Sequence, residues 1–260
     1  MKAGKINLID NWKIFLKEFN LVMKKIFFYL LSFAGNLLLL CISFPGCTQN
    51  KKENKNFTES LMQDSCSFLP TGRNTYFILE PGYQLVLEGI EETDTVRLIV
   101  TVLDEIKKIG NAETRIVEER ETVNGETAEI SRNFFAFCRQ NGGIYYFGEE
   151  VDNYKKGKVV NHEGAWIAGG KNKAGLLMPG VILLGARYSQ EIAPGIALDR
   201  AEIISMNENV QTPAGKFSNC LKTEETNALK PKEKEFKYYA AGIGLVKEEE
   251  LQLIKYGFIK

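Results

Sequence analysis

Apolar and polar residues alternate along much of the chain after about residue 70. In the segment TVRLIVTV at 95–102, every second residue is apolar and faces one side of an extended chain: Val96, Leu98, Val100 and Val102. Other runs rich in β-branched and aromatic residues lie at 83–90, 112–123, 126–140 and 143–151. Asn124-Gly125 between two runs is the strongest hairpin signal, because both residues tolerate the positive φ of a type I′ turn.

This rhythm of strands and turns predicts an all-β, mainly antiparallel domain. We expect a single curved sheet, either an open half-barrel or a sandwich, of about 10–12 strands. At most short helices are expected, with 105–109 and 198–206 as the best candidates. The glycine-rich segment 164–187 has no regular period and predicts a loop or crossover. We expect its apolar residues to cover the concave face of the sheet: Leu176, Leu177, Met178, Val181, Ile182, Leu183 and Leu184.

The N-terminal region has the three-part pattern of an export signal. Lys24 and Lys25 precede the apolar stretch 26–42, and a small residue then precedes Cys47. We interpret 23–46 as a signal peptide that starts at Met23. Residues 1–22 then come from an upstream start, although a genuine cytoplasmic extension is the alternative.

The segment Phe44-Pro45-Gly46-Cys47 resembles the bacterial lipobox, in which the Cys becomes acylated and N-terminal. A polar tract follows Cys47, too poor in apolar residues to pack. This order predicts a lipid anchor on Cys47, a tether at 47–69 and one β domain at 70–260. The expected location is extracytoplasmic, on the bacterial cell envelope (the outer membrane in a Gram-negative cell). A secreted soluble protein and an uncut membrane anchor are the alternatives.

The composition excludes several functional classes. Lys+Arg and Asp+Glu both number 33, and the only histidine is His162. The balanced charge argues against nucleic-acid binding, and a lone histidine leaves little for hydrolase or metal chemistry. No phosphate-binding or zinc motif occurs, so we predict no catalytic residue, no metal and no cofactor.

Acidic and cysteine residues leave several alternatives open. Glu149, Glu150 and Asp152 have oxygens suited to Ca²⁺, although we favour a solvated strand end. Asp199 and Glu202 are spaced for one helical face, as a carboxylate pair for glycoside hydrolysis or, more commonly, as surface ion-pair partners.

In the exported chain, an odd set of thiols leaves the disulfide pairing undetermined: Cys66, Cys138 and Cys220. Alternation places Cys220 on the more polar face of its strand, where a thiol is easier to reach.

Adjacent aromatic residues are the candidate ligand contacts. Tyr145 with Tyr146, and Tyr238 with Tyr239, must point to opposite faces of their strands. We therefore expect one member of each pair in the core and the other partly exposed. Together with Trp166 the exposed members are candidates to line a groove, although core and edge packing explains them equally well.

The order of segments resembles a widespread family of bacterial exported and lipoprotein β domains whose function is not established. The resemblance rests on segments such as YFILEPGYQLVLEG at 76–89, YYFGEEVDNYKKGKVVNHEGAWIAG at 145–169 and YSQEIAPGIALDRAEI at 188–203, and covers the mature domain. VQTPAGKFSNCLKTEE at 210–225 and KYYAAGIGLVKEEE at 237–250 also resemble domains related to the lipoprotein-localisation (Lol) carriers. That resemblance implies an open half-barrel that holds acyl chains. Neither resemblance implies a catalytic residue.

The expected function is therefore that of a non-catalytic envelope lipoprotein. We expect it to bind an apolar or amphipathic ligand on the concave face of its sheet, with the membrane as a partner through Cys47. A structural or assembly lipoprotein that acts through protein contacts is the alternative, and a glycoside-type hydrolase is the third. An apolar cavity inside the sheet favours ligand binding, whereas a filled core favours assembly.

Overall fold

Nearly all regular structure is β-strand in the computed structural model, which describes residues 56–59, 61 and 63–259. A short 3-10 turn at Gln63–Ser65 is the only helical element among these residues. No helix in this part of the chain has the length and apolar character of a membrane span. The predicted signal peptide, the upstream segment 1–22 and Cys47 lie outside the described residues.

Eighteen strands follow one another within residues 63–259. The first nine are β1 (Phe68–Leu69), β2 (Gly72–Asn74), β3 (Phe77–Leu79), β4 (Tyr83–Glu91), β5 (Asp94–Ile109), β6 (Ala112–Val123), β7 (Glu126–Cys138), β8 (Ile144–Lys155) and β9 (Lys158–Asn161). The other nine are β10 (Trp166–Ile167), β11 (Lys173–Met178), β12 (Arg187–Ser189), β13 (Glu191–Ile192), β14 (Asp199–Thr212), β15 (Gly215–Asn227), β16 (Lys234–Ala240), β17 (Gly244–Glu248) and β18 (Leu251–Phe258).

Sixteen of these strands form one antiparallel sheet, and thirteen of them follow one another in a path that nearly closes on itself into a barrel. Their order is β12-β14-β15-β16-β17-β18-β4-β5-β6-β7-β8-β11-β13. The two end strands, β12 and β13, are separated in the chain by Gln190 alone. β12 pairs with β14 and β13 pairs with β11, so one short segment joins both edges of the sheet. The predicted fold class is confirmed, although several very short strands raise the total above the expected 10–12.

The long strands lie where alternation predicts them, and β6 covers the whole of the run at 112–123. The turn between β6 and β7 has φ of 52° at Asn124 and 81° at Gly125, as a type I′ turn requires. Both helix predictions are wrong, because 105–109 lies in β5 and 198–206 falls almost entirely in β14. Long-range pairing with β6 and β15 overrides the local helical pattern there.

The folded domain begins before residue 70. Cys66 forms a disulfide with Cys138, and β1 pairs with β7 next to it. The hydroxyl of Tyr145 donates a 2.8 Å hydrogen bond to the carbonyl oxygen of Leu61, which is itself buried. Part of the segment expected to be a tether at 47–69 is therefore packed against the barrel.

Cys220 lies in the core, which corrects its predicted position on an accessible face. A β-bulge interrupts the pairing of β14 with β15 beside Asn219, whose φ is 55°. The extra residue shifts the alternation, so that Cys220 and Leu221 are both fully buried. Burial raises the pKa of the Cys220 thiol, and this cysteine forms no disulfide.

The segment 164–187 does not form a separate cover over the concave face, although Leu177 lines the interior. Its first half forms β10 and β11, which both pair with β8 and extend the sheet. Met178 is fully buried, whereas the following loop leaves three large apolar side chains more than half exposed: Val181, Leu183 and Leu184.

Candidate binding site inside the barrel

Two adjoining cavities lie inside the barrel. The larger has a volume of about 370 Å³ and the smaller about 100 Å³. The walls of the larger cavity come mainly from β6–β8 and from β13–β16, and those of the smaller mainly from β3–β7, β16 and β17. Strands distant in the sheet order thus face the same space, which places the cavities inside the barrel. Four wall residues are common to both cavities: Glu119, Phe135, Leu177 and Lys237.

The smaller cavity is mostly apolar. Leu98, Val100 and Val102 of β5 point into it, because these positions share one face of their strand. Val117 of β6 and Tyr239 of β16 complete this part of the wall. The alternation predicted at 95–102 is confirmed, and its apolar face is turned towards the cavity.

The larger cavity is acidic. On β6 the inward positions change from Val117 to Glu119, and on β7 from Phe135 to Glu129, so the interior becomes acidic along the strands. Eight carboxyl groups line the cavity: Glu119, Glu129, Glu149, Glu191, Asp199, Glu225, Glu233 and Glu235.

Two lysines also line the larger cavity, and both already have acidic partners. Lys237 Nζ lies 3.1 Å from Glu225 Oε2 and 2.9 Å from Glu248 Oε1. Burial opposes the charge of Lys237, but these carboxylates outweigh burial and hold its pKa well above the ordinary value. Lys230 lies 3.3 Å from Glu233. The positive charge of the cavity wall is thus already neutralised within the chain.

Burial raises the pKa of several of the other acidic groups. The pKa of Glu119 and that of Glu149 both rise to about 7, in each case mainly through burial and further through neighbouring carboxylates. Lys237 opposes the shift at Glu119 but does not cancel it. Burial also raises the pKa of Glu129 and of Glu235. These groups hold protons at a pH at which an exposed glutamate is ionised.

Glu191 and Asp199 form a carboxyl pair at the closure of the barrel. Burial, followed by a hydrogen bond to Asp199, raises the pKa of Glu191 well above its ordinary value. The indole Nε1 of Trp166 donates a 2.8 Å hydrogen bond to Glu191 Oε1. The backbone N–H of Gln190 donates to the Asp199 carbonyl at 2.7 Å, which holds the two acidic residues at the same point of the wall.

A second polar network holds Glu149. The hydroxyl of Tyr146 hydrogen-bonds the Glu149 side chain and also donates to Asn133 Oδ1. Burial raises the pKa of Glu149 to about 7 and outweighs the hydrogen bond with Tyr146, which lowers it. The Nδ2 group of Asn133 donates in turn to Ser131 Oγ at 3.3 Å.

The five aromatic candidates have different positions. Tyr146 and Tyr239 line the cavities. Trp166 is buried behind the wall, against Tyr146, with ring centroids 5.5 Å apart. Tyr145 points away and packs against Phe68 at 5.2 Å. Tyr238 lies outside, near Lys222 and Lys247.

The expectation of one core and one partly exposed member in each pair is therefore wrong for Tyr145 and Tyr146, which are both buried. Both side chains have aromatic neighbours: Tyr145 packs against Phe68, and Tyr146 packs against Phe135 and Trp166. Tyr239 is buried and Tyr238 is half-buried, as expected for the second pair.

The acidic pairs considered in the sequence do not converge. Asp199 lines the cavity, whereas Glu202 pairs with Arg187 at 3.0 Å, because these positions lie three residues apart on a strand and face opposite sides. Glu149 likewise points inward and Glu150 outward, towards Lys107. Across the described part of the chain, no group of three or more His, Cys, Asp or Glu side chains is arranged to hold a metal ion.

Sequence reasoning missed most of the acidic wall. The missed residues are Glu119, Glu129, Glu191, Glu225, Glu235 and Lys237. The available signal was the appearance of acidic residues at every second position of a predicted strand, as at Glu119 and Glu121 after Val117. Solvent-facing positions produce the same pattern, so the signal is not specific.

No family model matches the chain, and neither a curated protein nor a solved structure matches it.

Proposed function

We propose that this chain is a non-catalytic, lipid-anchored envelope protein that binds an amphipathic molecule inside its barrel. The observation that carries the proposal is the change along the interior from apolar to polar. One end of a bound molecule would contact Leu98, Val100 and Val117, and the other would reach the acidic cavity. This interior fits an amphipathic molecule better than a wholly apolar one.

The dimensions support a small ligand. Ligand sites typically have volumes of about 300–1,000 Å³, and the larger cavity has about 370 Å³. The apolar cavity of about 100 Å³ suits a short alkyl group, since apolar cavities of roughly 150 Å³ hold a benzene-sized molecule.

An extracytoplasmic location is supported by two independent features. The export pattern at 23–46 leads to Cys47, the proposed site of acylation. The disulfide between Cys66 and Cys138 fits an oxidising compartment, because cytosolic thiols are normally kept reduced. We propose that Cys47 holds the domain at a membrane surface of the cell envelope.

Native mass spectrometry of the full chain, purified from envelope extracts, tests ligand binding. We expect an added mass that is released when the protein is unfolded and that is absent after delipidation. The control is the variant V100E, which places a further carboxylate in the apolar cavity and should reduce the bound fraction. A wild-type chain that carries only its covalent lipid, and binds no added amphiphile, would contradict the proposal.

An assembly role is the second candidate, favoured by one observation. The side chains of Val181, Leu183 and Leu184 are 70 %, 62 % and 67 % exposed on a single loop. Adjacent exposed apolar residues often mark a contact surface. If the triple change of these residues to serine abolishes an envelope complex while ligand binding persists, assembly is a function of this loop.

A further inference from the structure

We infer that the ligand is a cationic amphiphile, with an ammonium-type head in the acidic cavity and a short apolar tail. This inference rests on the proposed function, because it names the chemical class of the molecule bound inside the barrel. The charge of the wall, its division into two parts and an unpaired buried hydroxyl support it.

The acidic cavity has more negative groups than the chain neutralises. Lys237 and Lys230 already pair with Glu225, Glu248 and Glu233. Six lining carboxyl groups form no ion pair with any lysine or arginine within residues 63–259: Glu119, Glu129, Glu149, Glu191, Asp199 and Glu235.

Carboxylates that share a cavity repel one another, and each loses hydration to the extent that it is buried. They can bind protons, or they can bind a cation. The raised pKa values of Glu119 and Glu149 agree with this cost of burial and repulsion. An ammonium group supplies three donors and a positive charge, which satisfies several carboxylates at once.

A second unsatisfied group near the same wall is the buried hydroxyl of Tyr188, a residue that lines neither cavity itself. The side-chain oxygen of Tyr188 has no hydrogen-bond partner among the described residues, although Tyr188 is only 3 % exposed. The charge of Glu225, a wall residue, contributes to raising the Tyr188 pKa, so the two groups are close. Buried polar groups are nearly always paired, and an unpaired one is expected to gain a partner from water or a ligand.

Glu119 places the head relative to the tail. Of the six carboxyl groups without an ion-pair partner, Glu119 alone also lines the apolar cavity. A head held by Glu119 lets its tail extend past Val117 towards Val100, on the neighbouring strand. The small apolar volume restricts the tail to a short chain, which separates this ligand class from long-chain lipids.

The test compares three probes of equal chain length. The full chain carries W12F, so that Trp166 is its sole tryptophan, and is kept at a fixed concentration of a neutral detergent at pH 7.5. Hexylammonium, 1-hexanol and hexanoate are titrated while Trp166 fluorescence is recorded. We expect hexylammonium to bind roughly tenfold more tightly than 1-hexanol, the scale of one charged hydrogen bond, and hexanoate to bind most weakly.

Matched variants assign the preference to the cavity. E119Q should remove most of the preference for hexylammonium over 1-hexanol. E118Q removes the same charge from the neighbouring residue, which pairs with Arg120 and does not line the cavities, and should retain the preference. The pair E149Q and E150Q repeats the comparison on β8, should E119Q prove unstable.

The outcomes separate the two proposals. Equal binding of all three probes, or tighter binding of hexanoate, overturns the cationic ligand and leaves an amphiphile-binding barrel. Failure of every probe to bind a folded protein overturns the proposed function itself. Equal loss of preference in E118Q and E119Q would show that the overall charge of the chain, rather than the cavity, attracts the cation.

Discussion

The indole N–H of Trp166 donates a 2.8 Å hydrogen bond to Glu191, and both residues are buried where the sheet closes. Trp166 was a candidate ligand contact, but its position makes it a support for an acidic wall residue. It lies on β10, which pairs with β8 beside the main strand order, while Glu191 begins β13. The hydrogen bond thus joins two short strands whose bonded residues are 25 positions apart in the sequence.

Replacing Trp166 with phenylalanine tests this support. W166F keeps an aromatic ring against Tyr146 but removes the donor to Glu191. We expect the free energy of unfolding to fall by about 1–3 kcal/mol, because a buried acceptor loses its partner. Urea denaturation followed by circular dichroism measures the change. Y238F, at a half-buried tyrosine on the outer face, is the control, and an equal loss there would contradict the role of the hydrogen bond.

Stability should fall as the pH rises from about 4.5 to 7. The pKa of Glu149 is about 7 in the folded protein, against an ordinary value of 4.5, so the folded state binds more protons over this interval. Ionisation of Glu149 therefore destabilises the fold, by more than about 1 kcal/mol at pH 8 relative to pH 5. Denaturation at a series of pH values measures the loss.

E149Q and E150Q form the matched pair for the pH experiment. E149Q should flatten the pH dependence and raise stability at pH 8, since it removes a buried ionisable group. E150Q changes an outward residue that pairs with Lys107 and should leave the slope unaltered. Stability that rises between pH 5 and 8 in the wild type would contradict the prediction.

The disulfide between Cys66 and Cys138 ties the N-terminal segment to β7 across 72 residues of sequence. We expect C66S to lower the free energy of unfolding by about 2–5 kcal/mol, mainly because the unfolded chain becomes less constrained. Non-reducing peptide mapping should find Cys66 linked to Cys138 and Cys220 as a free thiol. A disulfide that includes Cys220 would contradict the pairing, and C220A should leave the native linkage intact.

Lipidation of Cys47 is a prediction from the sequence. C47S should leave an unprocessed precursor and abolish incorporation of labelled palmitate, because the acylated thiol is lost. The control C220S keeps Cys47 and should be labelled normally. Normal processing of C47S, together with an unlabelled wild type, would refute the lipid anchor and favour a secreted protein.

Gly148 allows β10 to approach β8 closely. Its φ is 123°, and a Cβ atom there would lie 2.2 Å from the carbonyl oxygen of Trp166. We expect G148A to destabilise the protein by more than about 2 kcal/mol, through backbone strain combined with this clash. G157A has a positive φ of 70° but no atom within 4 Å, and thermal melts should show a smaller loss. Similar losses of stability in G148A and G157A would contradict a specific effect of the clash with Trp166.

Most of the fold is predictable from the sequence because a strand repeats every two residues. Alternation locates β4 to β8 within a few residues, and Asn124-Gly125 identifies the turn between β6 and β7. The helical predictions fail where local pattern and long-range pairing conflict. The bulge at Asn219 was not predicted from the sequence. Its one inserted residue reverses the face of the side chains that follow, so simple alternation places Cys220 on the wrong face.

The candidate site is much less predictable. Alternation assigns Glu119 and Val117 to one face of β6, and Glu129 and Phe135 to one face of β7. Alternation does not distinguish a face that lines an internal cavity from one exposed to bulk solvent, since polar residues have the same spacing in both cases.

The sequence by itself therefore determined most of the long strands and their antiparallel order through short turns, and it predicts the export signal with Cys47. Only the tertiary structure decided which acidic residues share a cavity, which cysteines pair, and how Gln190 lets β12 and β13 join the two edges of the sheet. The physical reason is that the two-residue period of a strand is a local property, whereas an internal cavity forms only when strands distant in the sequence come together. The carboxyl groups of Glu119 and Asp199 line one cavity because the barrel closes around them.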